Sequence, residues 1–187
     1  QETHSVPVLA DFDQDGNLDL VITAVYPGRP TDFYWGNGDG TFVLDAYHAG
    51  VTTTDGWGAA AADIDHDGDM DLFAHRPFVN EATGAGHWLQ VKVVGNVAAN
   101  RMAIGASVFV TDDGGVTRMR HVQGGTGKGG QDSQYLHFGL GGEASVSEVR
   151  VVFPGGGEVT FDGPFAADQR MWVYEDGTVM LGWVNPS

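Results

Sequence analysis

The 187-residue chain contains no cysteine, so no disulfide contributes to its stability. It has no run of about 18 apolar residues, which argues against a transmembrane helix. No segment of useful length shows the 3.6-residue periodicity of an amphipathic helix. With 29 glycines and only 7 prolines, the composition favours short strands joined by tight turns. These features together predict an all-β protein.

Basic residues are scarce, because 9 Lys and Arg stand against 25 Asp and Glu, for a net charge of −16. The acidic excess is concentrated in residues 1–86, which hold 15 acidic and 2 basic side chains. A surface of this charge repels phosphate backbones and anionic membranes. We therefore expect neither nucleic acid as a partner nor insertion into a membrane.

Two acidic loops share the pattern D-x-D-x-D-G-x-x-D-L, one beginning at Asp11 and the other 52 residues later at Asp63. Alternating carboxylates before a glycine turn bring several oxygen-bearing side chains around one point. Calcium requires about six to eight oxygen ligands, so each loop predicts a calcium site, two in all. The expected ligands are the side chains of Asp11, Asp13, Asp15, Asp19, Asp63, Asp65, Asp67 and Asp71, with the carbonyls of Asn17 and Asp69.

The loops differ from EF-hands, which need a glutamate at loop position 12 and a helix on each side. Position 12 is Ile22 in the first loop and Ala74 in the second, and the apolar runs that follow the loops predict buried strands. Because four carboxylates in one loop repel one another without a cation, we expect folding of the first half to be linked to calcium.

The motif resembles the FG-GAP or VCBS repeat, the calcium-loop blade of integrin-type β-propellers. Residues 35–42 (W-G-N-G-D-G-T-F) are similar to the hairpin of that family, and residues 58–63 to the strand that enters its next loop. The resemblance covers about residues 6–76 and implies propeller-type blades. Propellers close with about four to eight blades, whereas fewer than two occur here, so the set of repeats is incomplete.

From residue 87 onward, alternating apolar residues and regular turn signals predict seven or eight short strands and a β-sandwich. Its motifs are H-W-L at 87–89, N-R at 100–101, I-G-A at 104–106, Q-D-S at 131–133 and H-F-G-L-G at 137–141. In this order they resemble the ASPIC/UnbV domain, which follows FG-GAP-type repeats in cartilage acidic protein and its bacterial relatives. That resemblance implies an acidic extracellular protein, often adhesive or matrix-associated.

The predicted organisation is therefore all-β, with incomplete β-propeller-type repeats and calcium loops over residues 1–76, a linker over 77–86 and a C-terminal β-sandwich over 87–187. The chain begins at Gln1 without a signal peptide, which indicates either a mature form or a fragment.

A second candidate site consists of polar residues within the family-type motifs, namely Asn100, Arg101, Gln131 and Asp132. One interpretation is a pocket for a sugar or a small anion, and the other is a polar network that joins loops of the sandwich. The glycine-rich stretch 124–130 lacks the first glycine and the Ser or Thr of a phosphate-binding P-loop. It predicts a flexible or ligand-lining loop instead.

Nothing in the sequence indicates catalysis, since there is no G-x-S-x-G motif, no cysteine nucleophile and no zinc-type histidine spacing. Aromatic residues are the other recognition feature, as a carbohydrate platform or an interface; they are Tyr26, Phe33, Tyr34, Trp35, Trp57, Trp172 and Trp183. The apolar tail 179–184 is expected to close its own sheet or to add to the open edge of a neighbour's sheet.

We therefore expect a secreted, calcium-binding structural or adhesive module that is not an enzyme. The shortage of blades and the apolar tail favour self-assembly through open sheet edges, as a homo-oligomer or head-to-tail filament. One alternative is a carbohydrate-binding module of a larger cell-surface protein, with a glycan or a matrix protein as partner. The other is the C-terminal fragment of a full propeller protein.

Overall fold

The computed structural model describes residues 4–45, 49–54, 56–81, 86–127 and 129–182, and within these ranges all regular structure is β-strand. The all-β prediction is therefore confirmed. None of the described residues form a helix with the length and apolarity needed to cross a membrane. The strands in chain order are β1 (His4–Ala10), β2 (Asp19–Ala24), β3 (Asp32–Gly36), β4 (Phe42–Leu44), β5 (Ala59–Ala62), β6 (Asp71–Ala74), β7 (Arg76–Phe78), β8 (His87–Val94), β9 (Ser107–Asp112), β10 (Thr117–His121), β11 (Tyr135–Gly141), β12 (Ser145–Val152), β13 (Glu158–Ala166), β14 (Gln169–Tyr174) and β15 (Val179–Leu181).

The chain divides into two compact units whose boundaries differ from a simple split along the sequence. The first unit comprises Gln1–Phe12, Asn17–Thr83 and Gly125–Ser133, and the second comprises Asp13–Gly16, Gly84–Gly124 and Gln134–Ser187. The glycine-rich segment that the sequence assigns to the C-terminal domain thus belongs to the first unit.

The first unit contains two antiparallel sheets, one with the order β1-β2-β3-β4 and the other with the order β5-β6-β7. Each is an up-and-down meander, as the propeller-type blade predicts, and the second sheet is one strand shorter. Pro7 lies on the edge strand β1 where the register with β2 shifts, a position at which a missing backbone donor costs no ladder hydrogen bond.

The core of the first unit is small and is built from side chains of both sheets. Its members are Val8, Ala10, Phe12, Val21, Phe33, Ala59, Ala61, Met70, Leu72 and Ala74. Four of these ten are alanines, so the core buries little apolar area for each residue. The apolar core therefore contributes less to the stability of this unit than a core of larger side chains would.

The predicted linker over 77–86 is wrong at its beginning, because residues 76–78 form β7 and pair with β6. His75 alone makes the turn between these strands and adopts a φ of 64°, which allows Ala74 to pair directly with Arg76. Pro77 made this strand hard to predict, because proline usually interrupts a strand. Here Pro77 lies on β7, the outer strand of its sheet, where proline is tolerated.

The second unit is the predicted β-sandwich. Its sheets have the orders β10-β9-β12-β13 and β11-β8-β14-β15, and all neighbouring pairs are antiparallel except β14 with β8. Alternate residues of both sheets contribute to one core, which includes Leu89, Val108, Phe138, Val149 and Met171. Each of these side chains is completely buried.

The second unit contains the short strands that the alternation predicts, and β9 begins at Ser107, directly after the I-G-A motif at 104–106. The side chain of Asn100 accepts a hydrogen bond from the Ile104 amide at 3.0 Å and donates one to the Ile104 carbonyl at 3.0 Å. Gly105 has a φ of 95°. These features hold residues 104 and 105 in a turn before the strand begins.

His137 is a titratable side chain that is buried among the strands of the second unit. It projects from β11, and its ring stacks on Trp88 with centroids 6.3 Å apart. Burial lowers the pKa of His137 to about 3, with a smaller contribution from the positive charge of Arg120. The imidazole is therefore neutral in the folded protein at neutral pH.

We predict that His137 makes the second unit sensitive to acid. In the unfolded chain its pKa returns to about 6.5, so the unfolded state binds an extra proton as pH falls from about 6.5 towards 3. At pH 4.5 this should remove about 2–3 kcal/mol of stability, and His137→Phe should abolish that loss. Denaturant unfolding of both proteins at pH 7 and 4.5 measures the difference. Equal pH dependence in the two would contradict the assignment.

Candidate metal centres

Each acidic loop connects two antiparallel strands of the first unit's sheets. The first loop runs from β1 to β2, where Ala10 pairs with Asp19, and the second runs from β5 to β6, where Ala62 pairs with Asp71. The last aspartate of each motif is thus the first residue of the outgoing strand. This arrangement fixes both ends of the loop.

The backbone conformation of the two loops is the same at equivalent positions. The motif glycines Gly16 and Gly68 have φ values of 96° and 105°, which side chains with a Cβ rarely adopt. Two residues earlier, Gln14 and His66 also have positive φ, at 60° and 70°. Two left-handed residues around the third aspartate turn the chain back on itself and direct the alternate carboxylates to one side.

In the first loop, carboxylate oxygens of Asp11, Asp13 and Asp15 lie within 4.8 Å of one another. Asp11 is buried, Asp13 is half-buried and Asp15 is exposed, so the group extends from the base of the loop to solvent. The Asp13 carboxylate also accepts a hydrogen bond from the Asp15 amide at 3.3 Å. Burial, followed by the charge of Asp15, raises the pKa of Asp13.

In the second loop, the corresponding group consists of Asp63, Asp65 and Asp71, again within 4.8 Å. Asp63 and Asp71 are buried, and Asp65 is exposed. Asp67 is exposed and accepts a hydrogen bond from the Asp69 amide at 2.9 Å.

The ninth-position aspartates also hold the loops together through hydrogen bonds. Asp19 accepts from the amide of Phe12 at 2.8 Å and from that of Gly36 at 2.9 Å. Its carboxylate therefore joins the start of the loop to the end of β3. A side chain at position 36 would meet the Leu18 carbonyl at 2.1 Å, so this junction requires glycine.

The equivalent junction in the second loop uses a residue that the sequence analysis missed. Asp71 accepts hydrogen bonds from the amides of Ile64 at 2.6 Å and Asn80 at 2.7 Å. The Asn80 side chain donates to the carbonyls of Phe12 at 2.7 Å and Met70 at 3.3 Å. Asn80 thus connects both acidic loops, but its place in the predicted linker gave no motif that would reveal this role.

The carboxylates of the second loop are close enough, and buried enough, to raise one another's pKa values. Burial raises the pKa of Asp69 to about 6, and the charges of Asp67, Asp63, Asp71 and Asp65 add to the effect. Burial is also the largest cause of the raised pKa of Asp67 and of Asp71. Each shift reports that an ionised carboxylate is disfavoured there until a positive charge approaches.

The donor sets fit a hard divalent cation. Both groups consist only of carboxylate oxygens, the ligand type that calcium prefers, and in both a buried aspartate lies among other acids. The groups coincide with six of the predicted ligands. The other four predicted ligands lie in the same loops but outside these two groups; they are Asp19, Asp67, Asn17 and Asp69. The side chain of Asn17 lies beside Gly38 in the β3–β4 turn.

The polar residues of the second candidate site fall into separate units. Asn100 and Arg101 belong to the second unit, where Asn100 is occupied by its bonds to Ile104. Gln131 and Asp132 belong to the first unit, where Asp132 accepts a hydrogen bond from the Ala61 amide at 2.9 Å. The Asn100 bonds join residues of the sandwich unit, whereas the Asp132 bond joins two segments of the first unit.

Comparison with protein families agrees with the two halves of the chain. A model for an FG-GAP-like repeat matches residues 11–74, which include both acidic loops and strands β2–β6. A model described as ASPIC and UnbV matches residues 96–179. The chain thus carries an FG-GAP-like repeat region over residues 11–74, followed by an ASPIC and UnbV domain over residues 96–179. No curated protein sequence gives a significant match.

This family architecture is typical of extracellular or surface proteins, and FG-GAP-like repeats commonly bind calcium. In the FG-GAP-like region the matched segment contains the two carboxylate groups described above. The ASPIC and UnbV match runs from the loop after β8 to the start of β15, and it includes the segment 125–133 of the first unit.

We predict that Asn80→Ala destabilises the FG-GAP-like unit by about 1–3 kcal/mol, because buried carbonyls of Phe12 and Met70 lose their donor. Thermal or denaturant unfolding measures the change. Asn37→Ala is the matched control, since Asn37 makes an exposed side-chain bond to Thr41 in a turn. An Asn80 variant no less stable than the Asn37 variant would show that Asn80 does not connect the loops.

Proposed function

We propose that this protein is an extracellular structural module in which two calcium ions, one for each acidic loop, hold the FG-GAP-like repeats in their folded form. The observation that carries the proposal is the pair of carboxylate groups, at Asp11, Asp13 and Asp15 and at Asp63, Asp65 and Asp71. When bound, the ion supplies positive charge that neutralises carboxylates which otherwise repel one another.

Calcium acts on folding through the hairpins. Each loop joins strands that contribute to the same small core, so a loop forced apart by repulsion separates those strands. Extracellular modules of this kind bind calcium with a Kd of about 10⁻⁴–10⁻³ M, so millimolar calcium fills them outside the cell. This requirement is the reason for proposing secretion.

We predict that calcium raises the stability of the FG-GAP-like unit by about 1.4 kcal/mol for each site when its concentration is tenfold the Kd. Isothermal titration should give two equivalents of calcium bound. Asp63→Asn should remove one site and about half of the stabilisation, because it removes a charge from a buried ligand.

Asp162→Asn is the control, because Asp162 is an exposed acid on β13 in the other unit. It should keep both calcium equivalents and the full rise in melting temperature. Melting temperatures that do not depend on calcium, with no heat of binding, would refute the proposal.

Two exposed edge strands support a further part of the proposal, assembly with other copies of the chain. β4 is the outer strand of the first sheet, and its side chains Phe42, Val43 and Leu44 are all exposed. β15 is the outer strand of a sandwich sheet, and Val179, Met180 and Leu181 are all exposed. Apolar side chains on a strand with unpaired backbone groups are the usual template for strand addition.

Because β4 and β15 belong to different units, pairing β4 of one copy with β15 of the next is a heterologous contact. A contact of this type that does not close into a ring produces a filament, whereas β4 pairing with β4 would stop at a dimer. We propose the filament as the functional state and an adhesive or matrix role as its use, with no catalytic activity.

We predict particles much larger than the 19.8 kDa monomer in millimolar calcium, and their dissociation after excess chelator. Light scattering measures both states. Val43→Lys or Met180→Lys should give monomers in calcium, because a lysine on an edge strand prevents strand addition.

The matched control for these edge variants is Val97→Lys, since Val97 is 70% exposed but lies in the loop after β8. It should assemble like the unchanged protein. A wild-type monomer in calcium would refute self-assembly while leaving the calcium proposal intact. A longer natural chain with further D-x-D-x-D-G repeats would instead cover β4 with its own blades.

A further inference from the structure

The first unit carries a cleft of about 410 Å³ that the calcium loops do not use. Its lining comes from the start of β5, from β6 with its turn, and from the glycine-rich segment. The lining residues are Trp57, Gly58, Ala59, Ala60, Phe73, His75, Gly129, Gly130 and Gln131. All belong to the first unit, and the volume lies within the range of about 300–1,000 Å³ typical of small-molecule sites.

One wall of the cleft is the glycine-rich segment, which is fixed to the edge of β5. Ser133 donates its amide hydrogen to the Ala61 carbonyl at 2.9 Å, and the Ala61 amide donates to Asp132 at 2.9 Å. A Cβ at Gly130 would lie 2.6 Å from the Ala59 carbonyl, so the close approach of this segment requires glycine. The wall is therefore held in place without any ligand.

The bottom of the cleft is formed by β5, whose four residues are all alanines with small side chains. Ala60 pairs with Phe73 on β6, so their side chains are neighbours on one face of the sheet. The short methyl group beside the large ring leaves the Phe73 ring accessible, and Phe73 is 51% exposed. A larger residue at position 60 would fill this space.

Two aromatic side chains are presented to solvent at the cleft, Trp57 with 56% exposure and Phe73. By contrast, Phe33 from the predicted aromatic platform is buried in the core, and the Trp35 indole donates to Asp45 at 2.7 Å. The polar side chains at the same cleft are His75 and Gln131, an imidazole and a carboxamide. Exposed rings beside a few hydrogen-bonding groups require a ligand that has both apolar faces and polar edges.

We propose that this cleft binds a neutral pyranose unit of a glycan. The C–H face of a sugar ring is apolar and weakly positive, so it stacks on the negative face of an indole or phenyl ring. Its hydroxyl groups both donate and accept hydrogen bonds, as do the carboxamide of Gln131 and the imidazole of His75.

The composition of the cleft argues against other ligand classes. Residues 1–86 carry 15 acidic side chains, and the described lining offers no Lys or Arg to pair with a phosphate, sulfate or uronate group, so the described part of the cleft disfavours such anions. A purely hydrocarbon ligand would leave the polar groups of Gln131 and His75 unpaired on binding. A neutral polyol ring avoids both costs.

The test is saturation-transfer NMR with the whole chain in saturating calcium, using neutral tetrasaccharides of glucose, galactose, mannose and xylose, and a sulfated heparin tetrasaccharide. At least one neutral probe should bind and the sulfated probe should not. Trp57→Ala should weaken binding by about tenfold, the scale on which one aromatic side chain contributes to stacking with a ring. Gln131→Ala should weaken it about fivefold through the loss of a hydrogen bond.

Tyr26→Ala is the matched control, because Tyr26 is an equally exposed aromatic residue of the same unit that does not line the cleft. It should bind like the unchanged protein. Three outcomes would overturn the proposal: no neutral probe binds, only the sulfated probe binds, or Trp57→Ala and Gln131→Ala both bind normally with unchanged melting temperatures. Calcium is present throughout, and the inference does not depend on self-assembly, so its failure leaves the proposed function untouched.

Discussion

Repulsion among carboxylates at two strand turns is the constraint on which the first unit depends. Asp11, Asp13 and Asp15 lie together in one loop, and Asp63, Asp65 and Asp71 in the other. The small core with its four alanines cannot supply much compensation, because buried apolar area is what stabilises a sheet pair. Under the proposed function, a cation at each loop would convert the same charges from a destabilising feature into contacts that hold the hairpins.

The ninth-position aspartates connect this electrostatic feature to the sheets. Asp19 joins its loop to the end of β3, and Asp71 joins its loop to Asn80 after β7. Each therefore links a loop between the first two strands to the third strand or to the residues that follow it. These hydrogen bonds therefore connect each loop to the rest of its meander.

The two units are stabilised by different means and offer different surfaces. The sandwich has a large continuous core of branched and aromatic side chains. The FG-GAP-like unit has a small core, an exposed apolar edge at β4 and an aromatic cleft around Trp57. Loops positioned by a scaffold commonly carry recognition, and here the two acidic loops and the cleft lie on the unit with the smaller core.

The sequence alone determined the all-β class, the two acidic loops and the sandwich, because a doubled D-x-D-x-D-G spacing and strict alternation are local properties of the chain. Only the tertiary structure decided which distant residues meet. It placed Asn80 against Phe12, and it moved the segment 125–133 from the expected sandwich to the edge of β5. It also decided that Trp57 is exposed and that Phe33 is buried, although both had been candidate recognition residues. Such pairings depend on how sheets pack and on single close approaches at glycine, which no local pattern encodes.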